Sequence, residues 1–252
     1  MNTVRKKVVL ITGALSDIGR ATARAFVREG YGIVLNHHRT DDQVEAFVGE
    51  LSDNEKTPHV IAIQADIRSR SEVQSMFKQA YQVFGRLDVL VNIAGVNRDR
   101  PFLEMADDEW DTVISTILKG TFICSQEFAR RYEGTTGNII NIGALTALKG
   151  RKNGTNYCSA RAGVLVLTKC MAMELAPEIR VNTVTPGFID TREVQNRYQF
   201  EDIQNRQRCE QDIPLARIGK PEDIASMILF LVETGKYITG QNFIVDGGLY
   251  MH

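Results

Sequence analysis

Short apolar runs rich in β-branched residues alternate along the chain with longer stretches whose apolar positions recur at helical spacing. A continuous run of the first kind suits a strand buried on both faces, and the second suits a helix with one face turned to a core. Residues 8–11 form the first run. A turn at 12–19 and a helix follow, with Ile18, Ala21, Ala25 and Phe26 on one side and Gly30 as its stop. Strand 33–35, helix 41–51, strand 60–63 and a helix 71–84 opened by a Ser71/Gln74 capping box come next. Strand 87–91, a long helix 107–130, strand 138–142, a helix from Asn156 to about Ala176, and strand 181–185 continue the pattern. A helix 221–232 with proline in its first turn and a strand 242–245 complete it.

Strand and helix alternate without linker, repeat or low-complexity tract, which predicts a single α/β domain over 1–252, a doubly wound (Rossmann-type) seven-stranded parallel sheet flanked by helices. Such a sheet takes ligands beyond the carboxyl ends of its strands. Residues 188–217 interrupt the alternation. They are irregular and charged, and long enough to be a substrate lid, or else a loosely ordered connector.

Charge narrows the partners. Thirty basic and thirty-one acidic residues leave a net charge of −1, which argues against nucleic acid or an anionic membrane as partner. The apolar run at 8–11 is too short for a signal peptide or a membrane span, so a cytoplasmic protein is expected. Cys124, Cys158, Cys170 and Cys209 show no metal spacing and read as reduced thiols in small apolar sites. His37, His38, His59 and His252 form no metal motif.

Two stretches carry chemistry. Strand 8–11, the turn Thr12-Gly13-Ala14-Leu15-Ser16-Asp17-Ile18-Gly19 and the helix start make an anion cradle, because unpaired amides and the positive helix end point at a phosphate. Tyr157 and Arg161, four residues apart, share one helix face. A fixed cation beside a phenol favours the phenolate, which suits a proton exchanger.

In order and spacing these residues resemble the short-chain dehydrogenase/reductase family over nearly the whole chain. The matches are Thr12-Gly13 with Gly19, Asp66 on the adenine side, Asn92-Ile93-Ala94-Gly95, Tyr157, Asn182, Pro186-Gly187 with Thr191, and Gly240-Gln241 to Asp246-Gly247-Gly248. Val96-Asn97-Arg98-Asp99, Glu109-Trp110 and Leu118-Lys119-Gly120-Thr121-Phe122 are similar to the β-ketoacyl thioester reductase branch in particular. The resemblance implies a cofactor, NAD or NADP, held by Thr12, Gly13, Asp17, Ile18, Gly19, Arg39, Asp66, Asn92, Ala94, Gly95, Pro186, Gly187 and Thr191. It also implies four catalytic groups, of which Tyr157 is the general acid or base. At the family's lysine stands Arg161, at its serine Ala144, and at its relay asparagine Ile117.

Those replacements weigh on function. A lost oxyanion donor costs ~10² to 10³ in rate and a misplaced acid or base ~10² to 10⁴. An arginine for a lysine keeps the charge but changes its shape. The expectation is a catalytically impaired subunit acting with an active relative on 3-hydroxyacyl or 3-oxoacyl thioesters, in a homo- or hetero-tetramer of the kind the family forms through the helices carrying Ile117 and Tyr157. The alternative is an active NAD(P)H-dependent 3-oxoacyl thioester reductase using Tyr157 and Arg161. Asp17 replaces the family's middle glycine, where it either repels a pyrophosphate by ~3 kcal/mol at about 5 Å or caps the helix. Asn36 with Arg39, and no acid beside them, favour NADP(H) over NAD. Arg98, Arg100, Arg151, Lys152, Arg192 and Arg197 predict a basic rim suited to coenzyme A or an acyl carrier protein.

Overall fold

The computed structural model describes residues 6–38, 42–52 and 59–251. The strands are β1 Val8–Thr12, β2 Gly32–His37, β3 Val60–Gln64, β4 Val89–Asn92, β5 Gly137–Ile142, β6 Ile179–Pro186 and β7 Asn242–Val245. They form one seven-stranded sheet in the order β3-β2-β1-β4-β5-β6-β7, parallel throughout. The winding reverses between β1 and β4, so a crevice opens beyond their carboxyl ends.

The helices are α1 Asp17–Arg28, α2 Asp42–Ser52, α3 Arg70–Phe84, α4 Asp107–Ile114, α5 Gly120–Arg131, α6 Thr146–Lys149, α7 Thr155–Leu175, α8 Arg192–Tyr198, α9 Ile203–Gln211 and α10 Pro221–Glu233. Alternation along β1 explains the two layers. Val9 and Ile11 face one core with Phe26 of α1, Phe47 of α2 and Ile224 of α10. Val8 and Leu10 face the other with Phe77 of α3, Phe128 of α5 and Ala172 of α7. Both faces of the strand are covered, which is why its sequence is apolar without interruption.

A polar chain crosses the second layer. The Asn92 amide donates to Ser125 of α5 and to Asn141 of β5, Asn141 donates to Thr168 of α7, and Thr168 pairs with Thr183 of β6, at 2.8 to 3.1 Å. Five strand and helix elements are thereby tied around one buried line.

Four local expectations need correction. Ser69, not Ser71, caps α3 by accepting from the Glu72 amide, and the Glu72 carboxylate turns to the Asp66 amide at 2.9 Å. The helix expected over 107–130 is broken by a π turn, Ser115–Lys119, centred on Ile117. Residues 188–217 are neither irregular nor loose: α8 and α9 pack around Phe200, Ile213 and Ile218, and Ile189 pairs with Gly219. Their charges hid this small core, because Arg206 is spent on Asp190 and Glu210 at the surface. Cys124 is buried as expected, and burial pushes its thiol up to about 12, but Cys170 is exposed.

Candidate active site

The glycine turn leaves β1 at Gly13, whose φ of +63° suits glycine alone among common residues; a Cβ there would lie 2.8 Å from the Ala94 Cα. The turn therefore runs flush against the end of β4. Thr12 is buried beneath it, where its hydroxyl accepts from the Ile93 and Ala94 amides at 3.1 and 3.3 Å. Thr12 and Asn92 thus shape the floor from behind. Ser16 caps α1 by accepting from the Gly19 amide at 3.2 Å, so the helix does not use Asp17 as its cap. The amides of Asp17 and Ile18 keep no hydrogen-bond partner among the described residues and border the crevice.

A cavity of about 610 Å³ runs from this turn to Tyr157. Gly13, Asp17, Ile18, Ala94 and Gly95 line one end; Ala144, Tyr157, Arg161, Pro186, Gly187 and Thr191 line the rest. Two free amides, a positive helix end and the bare backbone at Gly13 fit a phosphate of a dinucleotide, with the Asp17 carboxylate beside it. Asp66 stands apart from the lining. The Arg68 guanidinium grips its carboxyl at 2.6 to 3.0 Å and holds it below the usual carboxylate range. Asn36 is buried and its amide donates to the Ala65 carbonyl at 3.0 Å, while Arg39 lies outside the described residues. At the end of β2 the cavity meets His37 and His38 instead.

At the reacting end, Tyr157 is half-buried with Arg151 and Arg161 at its ring, their guanidinium carbons 4.9 and 5.4 Å from the centroid. Arg161 is only 6% exposed. Its Nη1 donates to the Ile142 carbonyl at 2.6 Å, its Nε has no partner, and no carboxylate reaches it among the described residues. A Cβ on Gly95 would lie 2.5 Å from Arg161 Nη2, so glycine there makes room for the planar fork. Ile117, fully buried, joins Val113, Ala160 and Val164 in an apolar cluster against Tyr157. Ala144 offers no donor, and the Thr146 hydroxyl nearby is buried without a partner among the described residues.

The expected basic rim is largely neutralised. Arg151 and Arg197 both pair with Asp99, the first at 2.6 Å; Arg197 also holds Glu193 at 2.6 Å, Arg100 holds Glu109 at 2.8 Å, and Arg192 meets Asp17 at 3.5 Å. Glu193 lies four positions from Arg197 and Glu109 nine from Arg100, but Asp99 and Asp17 lie 52 to 175 positions from the arginines they meet, so spacing alone did not reveal those pairs. The sequence reading also missed that Tyr198 and Leu249 close the cavity wall, since nothing in their local pattern marks them.

A family model described as enoyl-(acyl carrier protein) reductase matches residues 13–250. A 3-oxoacyl-[acyl-carrier-protein] reductase of Staphylococcus aureus is 40% identical over 97% of this chain and 98% of its own length. One from a Synechocystis strain is 38% identical over the full length of both. A solved short-chain dehydrogenase/reductase from Brucella melitensis, titled glucose/ribitol dehydrogenase, superposes with a TM-score of 0.88 at 31% identity, covering 98% of this chain and 97% of that one. The chain belongs to the short-chain dehydrogenase/reductase family, and its relatives include 3-oxoacyl-[acyl-carrier-protein] reductases. No helix among the described residues is long and apolar enough to cross a membrane.

Proposed function

We propose that the chain is an NADP(H)-dependent reductase of 3-oxoacyl thioesters. The observation that carries this is Tyr157 standing at the end of a cavity that begins in a phosphate-fitting turn, in a chain whose full-length relatives bear that activity in their names. A dinucleotide held at the Asp17 and Ile18 amides would supply hydride-transfer chemistry to the ketone carbon. Tyr157 delivers its phenolic proton to the ketone oxygen, so the product is the 3-hydroxyacyl thioester. Arg161 places a permanent positive charge against the ring of the proton donor, its guanidinium carbon 5.4 Å from the centroid. NADP(H) is favoured over NAD because residues 36–38, at the end of β2, hold no carboxylate to repel a 2′-phosphate. The carrier of the acyl group is an acyl carrier protein, as in the relatives' names, or coenzyme A, and the place of action is the cytoplasm.

One observation favours a second reading. Ile117 and Ala144 put methyl groups where a donor and a water anchor would serve the ketone, and these are what a silent subunit in a mixed tetramer would show. Turnover of acetoacetyl thioester by the purified chain decides between them. Oxidation of NADPH within about a hundredfold of ordinary enzymes, near 10 s⁻¹, supports the reductase. Absence of turnover, restored on mixing with a related subunit that has Ser, Lys and Asn at the places of Ala144, Arg161 and Ile117, supports the silent partner.

A further inference from the structure

Asp17 does no work as a helix cap, because Ser16 fills that place. Its carboxylate reaches 175 positions along the chain instead: Oδ2 accepts from the Arg192 amide at 2.8 Å and Oδ1 lies 3.5 Å from Arg192 Nε. With side chains 27% and 61% exposed, this pair contributes little to stability. Its position is more telling. Asp17 and Arg192 line the main cavity, and both also line a shallow hollow beside it formed by Arg20, Phe47 and Glu50. The pair stands as a bar between the two. On the far side the same strap is fastened by Asn97 donating to Glu193 at 3.2 Å and by the ion pair of Arg197 with Asp99.

We propose that Asp17 is a built-in stand-in for a phosphate, holding Arg192 until a dinucleotide phosphate enters the turn and takes the guanidinium from it. The inference rests on the dinucleotide reading above. A phosphate at the free amides of Asp17 and Ile18 is brought near a carboxylate that repels it and a guanidinium that matches it in charge and fork geometry. Handing the guanidinium across removes the bar and joins the cavity to the hollow, while the Arg192 amide still donates to Asp17 and keeps the start of α8 in place. Affinity for the dinucleotide is therefore set by a competition between two anions for one arginine. Arg192 becomes a phosphate-binding residue that Asp17 keeps occupied.

The test uses the full chain as Asp17→Asn, Arg192→Met and the double variant, with hydrogen exchange of the segment 188–198 and calorimetric titration with NADPH. Without nucleotide, each single variant is expected to speed exchange in α8 by about fivefold, the worth of an exposed ion pair. Asp17→Asn is expected to tighten NADPH in both backgrounds by relieving repulsion, and by about tenfold more when Arg192 is present than in the Arg192→Met background. Equal tightening in both backgrounds shows simple repulsion and overturns the handover. Unchanged exchange and affinity in Asp17→Asn overturn the whole proposal. If no variant binds any dinucleotide, the cofactor reading fails and takes the handover with it; exchange then still reports separately whether the pair fastens the strap.

Discussion

Arg161→Met is expected to make a more stable protein that turns over less. The guanidinium is 94% buried by the 6% exposure of its residue, has one hydrogen bond to a carbonyl and meets no carboxylate among the described residues. Removing an ion of this kind from water costs several kcal/mol. The charge-assisted bond to the Ile142 carbonyl returns about 1.5 to 3 kcal/mol. Methionine has a flexible, apolar chain that can fill the same channel. The balance is a gain of about 1 to 3 kcal/mol, or about 3 to 9 °C at roughly 3 °C per kcal/mol for a domain of this size. Scanning calorimetry at one protein concentration and without nucleotide reads it, since both ligand and assembly shift the midpoint. The same variant, assayed with acetoacetyl thioester, should fall by about a hundredfold or more, as expected when the charge beside a proton donor is lost. A lower melting temperature would refute the reasoning, because the bond to Ile142 would then outweigh the burial of the charge.

The remaining expectations are simpler. Combining Ala144→Ser, Ile117→Asn and Arg161→Lys should raise turnover by about a hundredfold or more if the cavity admits cofactor, by returning donors to the ketone; stopped-flow NADPH oxidation checks it, and unchanged rates would show that the polar groups were not limiting. Gly13→Ala forces a side chain into a left-handed conformation against Ala94, costs about 1 to 3 kcal/mol and lowers NADPH affinity, as urea melts and titration would show. Asp66 has a native carboxyl depressed by Arg68, so its stabilising contribution is full above the unfolded value of about 3.9 and is lost as pH falls through the lower native value. The stability difference between wild type and Asp66→Asn, measured by urea melts across acid pH, should therefore stay flat above about pH 5 and shrink below it. Iodoacetamide at pH 8 should label Cys170 in the native protein and Cys124 only after unfolding, since burial holds the Cys124 thiol near about 12.

The sheet was legible because its central strands are buried on both sides: β1 and β4 carry continuous apolar runs and β5 an apolar pair between two asparagines, and their order follows from helices that fit between them. The elements hardest to read were those held by distant partners. Segment 188–217 folds around three apolar residues among many charges, and Asp17, Asn97, Asp99, Gly247 and Leu249, far off in the chain, show where it docks. Tyr157 with Arg161 could be placed on one helix face from their spacing. That Arg151 covers the same ring could not, because Asp99 and the loop around it bring it there. Asn36 looked like a ligand for a cofactor phosphate by position, yet the carbonyls at the end of β3 claim its amide, a competition that only the paired strands reveal. The π turn at Ile117 has no signature in an apolar helix pattern, since one extra residue in a turn changes no residue type.

The buried line from Ser125 through Asn92, Asn141 and Thr168 to Thr183 bears on how such a site can change over time. It fastens α5 and α7 to the strand tips by bonds that involve neither Ile117, Ala144 nor Arg161. Mutational drift can therefore swap the reactive side chains one after another while the frame keeps its dimensions, leaving a vessel whose contents are free to vary.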